Sequence, residues 1–198
     1  MKKSFLSVVG LALLFAGLPA SAQGALSEEI ALDTYRDRSE QLTVVLGSYP
    51  ASRHELDGFI PIPVAIGVED SPTIILSPEN FVLVDDQGVE YAAAGFGQIR
   101  NEYRKAAYDR SLLRLRPLIT GPGFARKLRL PSNFYPARAD GMRLDDIELS
   151  RQTWIADVLY FPMPDAGLGG PLTLRLAGKG IERPVEVRFE VPRPQRRS

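Results

Sequence analysis

The stretch from Ser77 to Ala92, SPENFVLVDDQGVEYA, constrains the fold more than any other part of the chain. Phe81 to Val84 is a run of strand formers, Asp85-Asp86-Gln87-Gly88 supplies a turn, and Val89-Glu90-Tyr91 resumes an extended pattern. Gly88 stands where a hairpin loop of about three to four residues needs a positive φ, and the Asp85 side chain is placed to bond its own backbone two residues on. A hairpin of this kind requires an antiparallel sheet. Phe81 and Leu83 fall on one face and Val82 and Val84 on the other, so the strand is expected to be covered on both sides or to have its outer face covered by an insertion.

Other segments follow the same logic. Gln41 to Tyr49 reads as a strand, as do Thr73 to Leu76 and Asp146 to Ser150. Phe59 to Val68 is apolar but carries Pro61 and Pro63, which forbid a helix and place the start of this strand at an edge or a bulge. In Thr153 to Phe161, Trp154, Ala156, Val158 and Tyr160 share one face, and Ile155, Asp157, Leu159 and Phe161 share the other. Leu172, Leu174 and Leu176 alternate with polar residues, as do Val185, Val187, Phe189 and Val191, the pattern of a half-buried antiparallel hairpin. Seven to nine short strands separated by turns predict an all-β, antiparallel two-sheet sandwich over residues 41–191. Residues 23–40 are a polar lead-in that fits a short helix starting at Ser27 or a flexible segment equally well, and residues 192–198 are expected to be a disordered tail.

Residues 1–22 read as a secretory signal peptide. Lys2-Lys3 precedes an apolar run from Phe5 to Leu18, and Ala20-Ser21-Ala22 supplies the cleavage site. That run is too short for a spanning helix of about 20 residues, and no later segment is long and apolar enough. The chain has no cysteine, so an exported domain of this kind has neither disulfides nor a lipid-anchor thiol and is held by its apolar core. The expected location is the bacterial periplasm or the medium.

Zero net charge conceals an asymmetry. From Glu28 to Glu90 there are 13 acidic residues against Arg36, Arg38 and Arg53, whereas Arg100 to Arg143 holds 11 basic residues against Glu102, Asp109 and Asp140. This basic region coincides with an insertion, about 98–143, that makes the chain larger than a minimal sandwich of about 100 residues. Gln98 to Tyr108 predicts a helix with Ile99, Tyr103 and Ala106 as its buried stripe and Arg100 and Arg104 on another face. Leu113-Arg114-Leu115-Arg116 alternates and favours a strand. Arg100, Arg104, Lys105, Arg110, Arg114 and Arg116, with Tyr103 and Tyr135, form the candidate surface for an anionic partner, because arginine favours planar carboxylates and phosphates. The competing reading pairs these cations with the acidic first half of the same molecule.

NFVLVDDQGVEY resembles the F-x-L-x-D-x-x-G-x-x-Y hairpin of bacterial exported immunoglobulin-like domains of unknown function, a type often found on lipoproteins. WIADVLYFPMP and PVEVRFEVP are similar to the late strands of those domains, so the resemblance spans about half of the chain after the leader. It implies an immunoglobulin-like sandwich that is usually non-enzymatic. The chain departs from that type in lacking the anchor cysteine and in carrying the basic insertion.

Motifs for catalysis are sparse. His54 is the one imidazole, no nucleophile-elbow motif occurs, and Asp85-Asp86 is better explained by turn chemistry than by a metal. Gly95-Phe96-Gly97 lacks the ending of a phosphate-binding loop. No cofactor and no nucleic-acid partner is expected. The sequence therefore predicts a non-enzymatic envelope module contacting an envelope protein, an anionic polymer or a lipid headgroup. The alternatives are an envelope hydrolase using His54 or clustered carboxylates, and a carrier with an apolar cavity between its sheets.

Overall fold

The computed structural model describes residues 25–53, 58–70, 73–136, 143–165 and 167–192. The expected signal peptide, His54 and all but the first residue of the expected disordered tail lie outside them. In chain order the strands are β1 (Glu28–Ala31), β2 (Thr34–Arg38), β3 (Leu42–Gly47), β4 (Phe59–Val68), β5 (Ile74–Leu76), β6 (Phe81–Val84) and β7 (Glu90–Ala92). The helices α1 (Phe96–Glu102), α2 (Ala106–Leu115) and α3 (Pro122–Ala125) follow, then β8 (Leu128–Arg129), β9 (Ile147–Leu149), β10 (Thr153–Pro162), β11 (Leu172–Leu176) and β12 (Val185–Phe189). Six strands pair in the order β1-β2-β3-β4-β10-β8, four in the order β12-β11-β6-β7, and β5 pairs with β9. The pairings are antiparallel except that of β8 with β10. The protein is mostly β, as the turn spacing predicted.

The opening hairpin is built as its residues dictate. Gly88 has φ 83°. Asp85 is buried, and its Oδ1 accepts from the N–H of Gln87 at 2.9 Å and of Val89 at 2.8 Å. Its Oδ2 accepts from the Tyr91 hydroxyl at 3.1 Å. Asp85→Ala strands those donors and is expected to cost about 1–3 kcal/mol, and Gly88→Ala about 1–2 kcal/mol for a β-carbon in the left-handed region. Urea denaturation checks both, and unchanged midpoints would mean that the loop contributes nothing to the fold.

Alternation sets the two faces of the larger sheet. Leu42, Val44 and Leu46 of β3, with Ile60, Ile62, Val64 and Ile66 of β4, belong to the main core together with Phe81 and Leu83 of β6 and Val187 and Phe189 of β12. The opposite face carries small residues: Gly47, Ala65 and Gly67, with Ala65 paired to Ala156 and Gly67 to Trp154. Small side chains let the insertion sit directly on the sheet. A β-carbon at Gly47 would meet Leu118 Cδ2 at 2.9 Å, and one at Gly67 would meet Phe124 Cε1 at 3.0 Å. Val45, Ala65 and Phe124 form a second, smaller core there, with the Phe124 ring edge-on to Trp154 at 5.3 Å. Covered on both faces, β4 is buried throughout. Its prolines fit as expected, because β3 pairs only as far as Val64 and Pro61 and Pro63 face only β10.

Three local expectations are corrected. The described part of the lead-in, residues 25–40, is neither a helix nor a free segment: β1 and β2 form an antiparallel hairpin and extend the larger sheet, anchored by the buried Thr34 and Tyr35. The single helix expected over 98–108 is two, because Tyr103 turns extended (φ −121°, ψ 111°) to insert its ring into the core. Leu113 to Leu115 is helical, continuing α2, and the alternation there arises because Leu113 packs on the core whereas Leu115 projects into solvent. Among the described residues no helix is long and apolar enough to cross a membrane.

Candidate functional site

The insertion folds over the outer face of the larger sheet and separates the predicted site residues into three groups. Tyr103 and Tyr135 belong to the core. Tyr103 packs against Phe59 and Tyr160 at 6.0 and 5.2 Å, and its hydroxyl donates to Asp109 Oδ2 at 2.7 Å. Tyr135 lies edge-on to Tyr160 at 5.0 Å and donates to the Ala94 carbonyl at 2.8 Å. Burial pushes the Tyr135 and Tyr160 phenols far above their ordinary range, so both stay protonated near neutral pH. The aromatic half of the expected surface is therefore packed away, because the outer face of the sheet needs apolar cover.

Arg110 forms the second group. It reaches the edge of β10, where Asp157 is 3% exposed, and its Nη2 lies 3.1 Å from Asp157 Oδ1. Asp157 also accepts from the N–H of Phe134 at 3.0 Å and of Val158 at 2.8 Å. Burial raises the Asp157 carboxyl above the usual range, against the pull of Arg110 and these two N–H groups. This ion pair ties α2 and the 132–135 segment to β10. Its acid comes from the late strand rather than from the acidic first half. Lys127, 3.7 Å from Glu69, follows that other reading.

Arg100, Arg104, Lys105, Arg114 and Arg116 form the third group and are exposed. Arg116 stands at the end of α2, with its guanidinium 4.3 Å from the centre of the Tyr49 ring. Arg53 approaches the same ring at 4.6 Å and bonds the Tyr49 hydroxyl. Beside them a cavity of about 380 Å³ opens between the β1–β2 turn, the end of β3 and the chain leaving α2. Leu112, Leu113, Pro63 and Leu118 line it, with Asp33 at the turn and Arg116 at the helix end. Leu32 and Ile119, which also line it, are 79% and 57% exposed, and neighbouring Leu115 is 78% exposed. Burial and nearby Glu29 raise the Asp33 carboxyl, and Arg116 draws it down. The cavity lies at the rim of the larger sheet, outside the core between the sheets where an apolar carrier would hold its cargo.

Tyr49, Arg53, Leu32 and Asp33 are absent from the sequence-derived set. Three separate segments bring them together, and nothing in their spacing announces it. The one available signal was Leu115 and Ile119 in LRPLIT, apolar residues in a basic run that a buried strand would have hidden. A second cavity of about 520 Å³, with Asp33, Tyr35, Leu168 and Glu190 in its wall, has no cation in its lining. Among the described residues no group of three or more His, Cys, Asp or Glu side chains is placed to hold a metal ion.

No family model matches this chain, and no curated protein matches it. Among solved structures, the crystal structure of "a putative lipoprotein (ycdA)" from Bacillus subtilis aligns with 79% of this chain at 11% identity and a TM-score of 0.40. The chain spans 38% of that protein's length. Similarity at this level carries no argument about fold or function.

Proposed function

We propose that the protein is an exported, non-enzymatic module of the bacterial cell envelope, an immunoglobulin-like sandwich that binds an anionic envelope component at the C-terminal end of α2. One observation carries this reading. Exposed Arg116, Leu32 and Ile119 line a cavity, and exposed Arg114 and Leu115 adjoin Arg116 in the last turn of α2. Large apolar side chains left in water next to cations suit an amphipathic or headgroup-bearing partner better than they suit bulk solvent. The leader-like residues 1–22 and the basic bias of the insertion support the envelope as the setting.

The test is sedimentation with isolated envelope material at rising ionic strength. Wild-type protein is expected to pellet at low salt and to be released as salt screens the contact. Arg114→Gln/Arg116→Gln is expected to stay in the supernatant. Equal recovery of the two proteins at every salt concentration would remove the proposed surface. Arg110 is left intact here, since its partner is the buried Asp157.

A further inference from the structure

We propose that the cavity beside α2 binds a single-chain amphiphilic carboxylate, with its chain among Leu112, Leu113 and Leu118 and its carboxylate on Arg116. This names a ligand for the surface proposed above and rests on that reading. The volume of about 380 Å³ falls in the range of small-molecule sites, about 300–1,000 Å³. Its lining suits a hydrocarbon: leucines from α2 and the following segment, with Pro63 from β4 and Pro50 from the turn after β3.

The choice of headgroup follows from charge and geometry. Arg116 lays the face of its guanidinium over Tyr49, and among the described residues it donates no side-chain hydrogen bond. Stacking occupies the face of the group and leaves the in-plane N–H fork open, the geometry that grips a carboxylate with two bonds. Arg53 on the same ring adds a second positive charge. Together with Arg114, these outweigh the roughly half negative charge at a helix C-terminus. The opposing acidic groups are Asp33 of the β1–β2 turn, which lines the cavity and interacts with Arg116, and Glu29 of β1 beside it. Arg53, Arg114 and Arg116 outnumber these two acids, so an anionic head is drawn to the Tyr49 ring, where Arg53 and Arg116 meet.

Isothermal titration with three probes tests this: decanoate below its micelle-forming concentration, acetate, and decyltrimethylammonium. Decanoate is expected to bind, acetate to give no saturable heat, and the cationic amphiphile to bind at least tenfold more weakly. Arg116→Gln is expected to weaken decanoate binding about 10- to 100-fold, the loss of a charge-assisted hydrogen bond. Leu112→Trp, which fills the cavity, is expected to abolish decanoate binding while sedimentation with envelope material persists through the exposed arginines. Absence of decanoate binding to the wild-type protein overturns the inference, as does equal affinity for the cationic amphiphile. Either result leaves the sedimentation behaviour, and with it the broader reading, to stand or fall separately.

Discussion

Arg110→Met is expected to destabilise the protein by about 3–5 kcal/mol at neutral pH, and by much less in acid. The methionine keeps most of the stem volume, so the loss reports the charge. Asp157 is 3% exposed, and without Arg110 it keeps the neutral donors of Phe134, Val158 and Ser132 but no cation to offset its charge. Burial already raises its carboxyl, and removing the guanidinium raises it further. A carboxyl whose folded-state pKa lies above its unfolded value binds its proton more tightly in the native state. Stability from that proton is fully present below the unfolded pKa, about 3.9, and is lost as pH rises through the folded value. The deficit of Arg110→Met should therefore grow from acid to neutral pH. Urea denaturation at about pH 4.5 and about pH 7 measures it. Asp157→Asn in the same background should recover part of the neutral-pH loss, since no buried charge then remains. A deficit that does not change with pH would mean that the stem of Arg110, and not its charge, holds α2 to β10.

Phe189→Ala is the other large expected effect, about 3–5 kcal/mol. Phe189 is fully buried in β12 and lies 6.2 Å from the ring of Tyr35 in β2, so it bridges the four-stranded and six-stranded sheets. Truncation leaves a void that neither sheet can close, because the backbones on both sides are held by their own ladders. Leu128→Ala is the control. That side chain is 68% exposed on the edge strand β8, and its loss should stay within about 0.5 kcal/mol. Comparable midpoints for the two variants in denaturant would show that the sheets do not share a core.

Much of this architecture was legible before any coordinates. The 77–92 hairpin, the β11–β12 hairpin and the two faces of β10 follow from period-two patterning and one glycine with positive φ. These elements were readable because one face of each is apolar and their turns use side chains with a single dominant conformational role. The β1–β2 hairpin was not readable. Its turn places Asp33 at φ 57° without a glycine, and β2 buries little beyond Thr34 and Tyr35, so its sequence looks like a solvated segment. The end of α2 was misread for a related reason. Alternation in LRLR signals a strand only when alternate residues are buried, and Leu115 is not.

The candidate site was half legible. Charge bias located the insertion, and Arg114 and Arg116 of the expected set remain on its surface. Tyr103 and Tyr135 went to the core because the Tyr160 ring of β10 is covered by aromatic side chains from the insertion. The meeting of Arg116, Arg53 and Tyr49 depends on the path of the chain after α2, which local propensity does not encode.

The central claim is that binding resides at the C-terminal end of α2 and not along the insertion as a whole. Comparing Arg114→Gln/Arg116→Gln with Arg100→Gln/Arg104→Gln tests it directly, because each pair removes two exposed positive charges from the same segment. The measurement is the fraction of each protein that sediments with isolated envelope material at one low salt concentration. The first pair is expected to lose binding and the second to retain it. Equal loss by the two pairs would reduce the contact to net charge, and retention by the first pair would contradict the account.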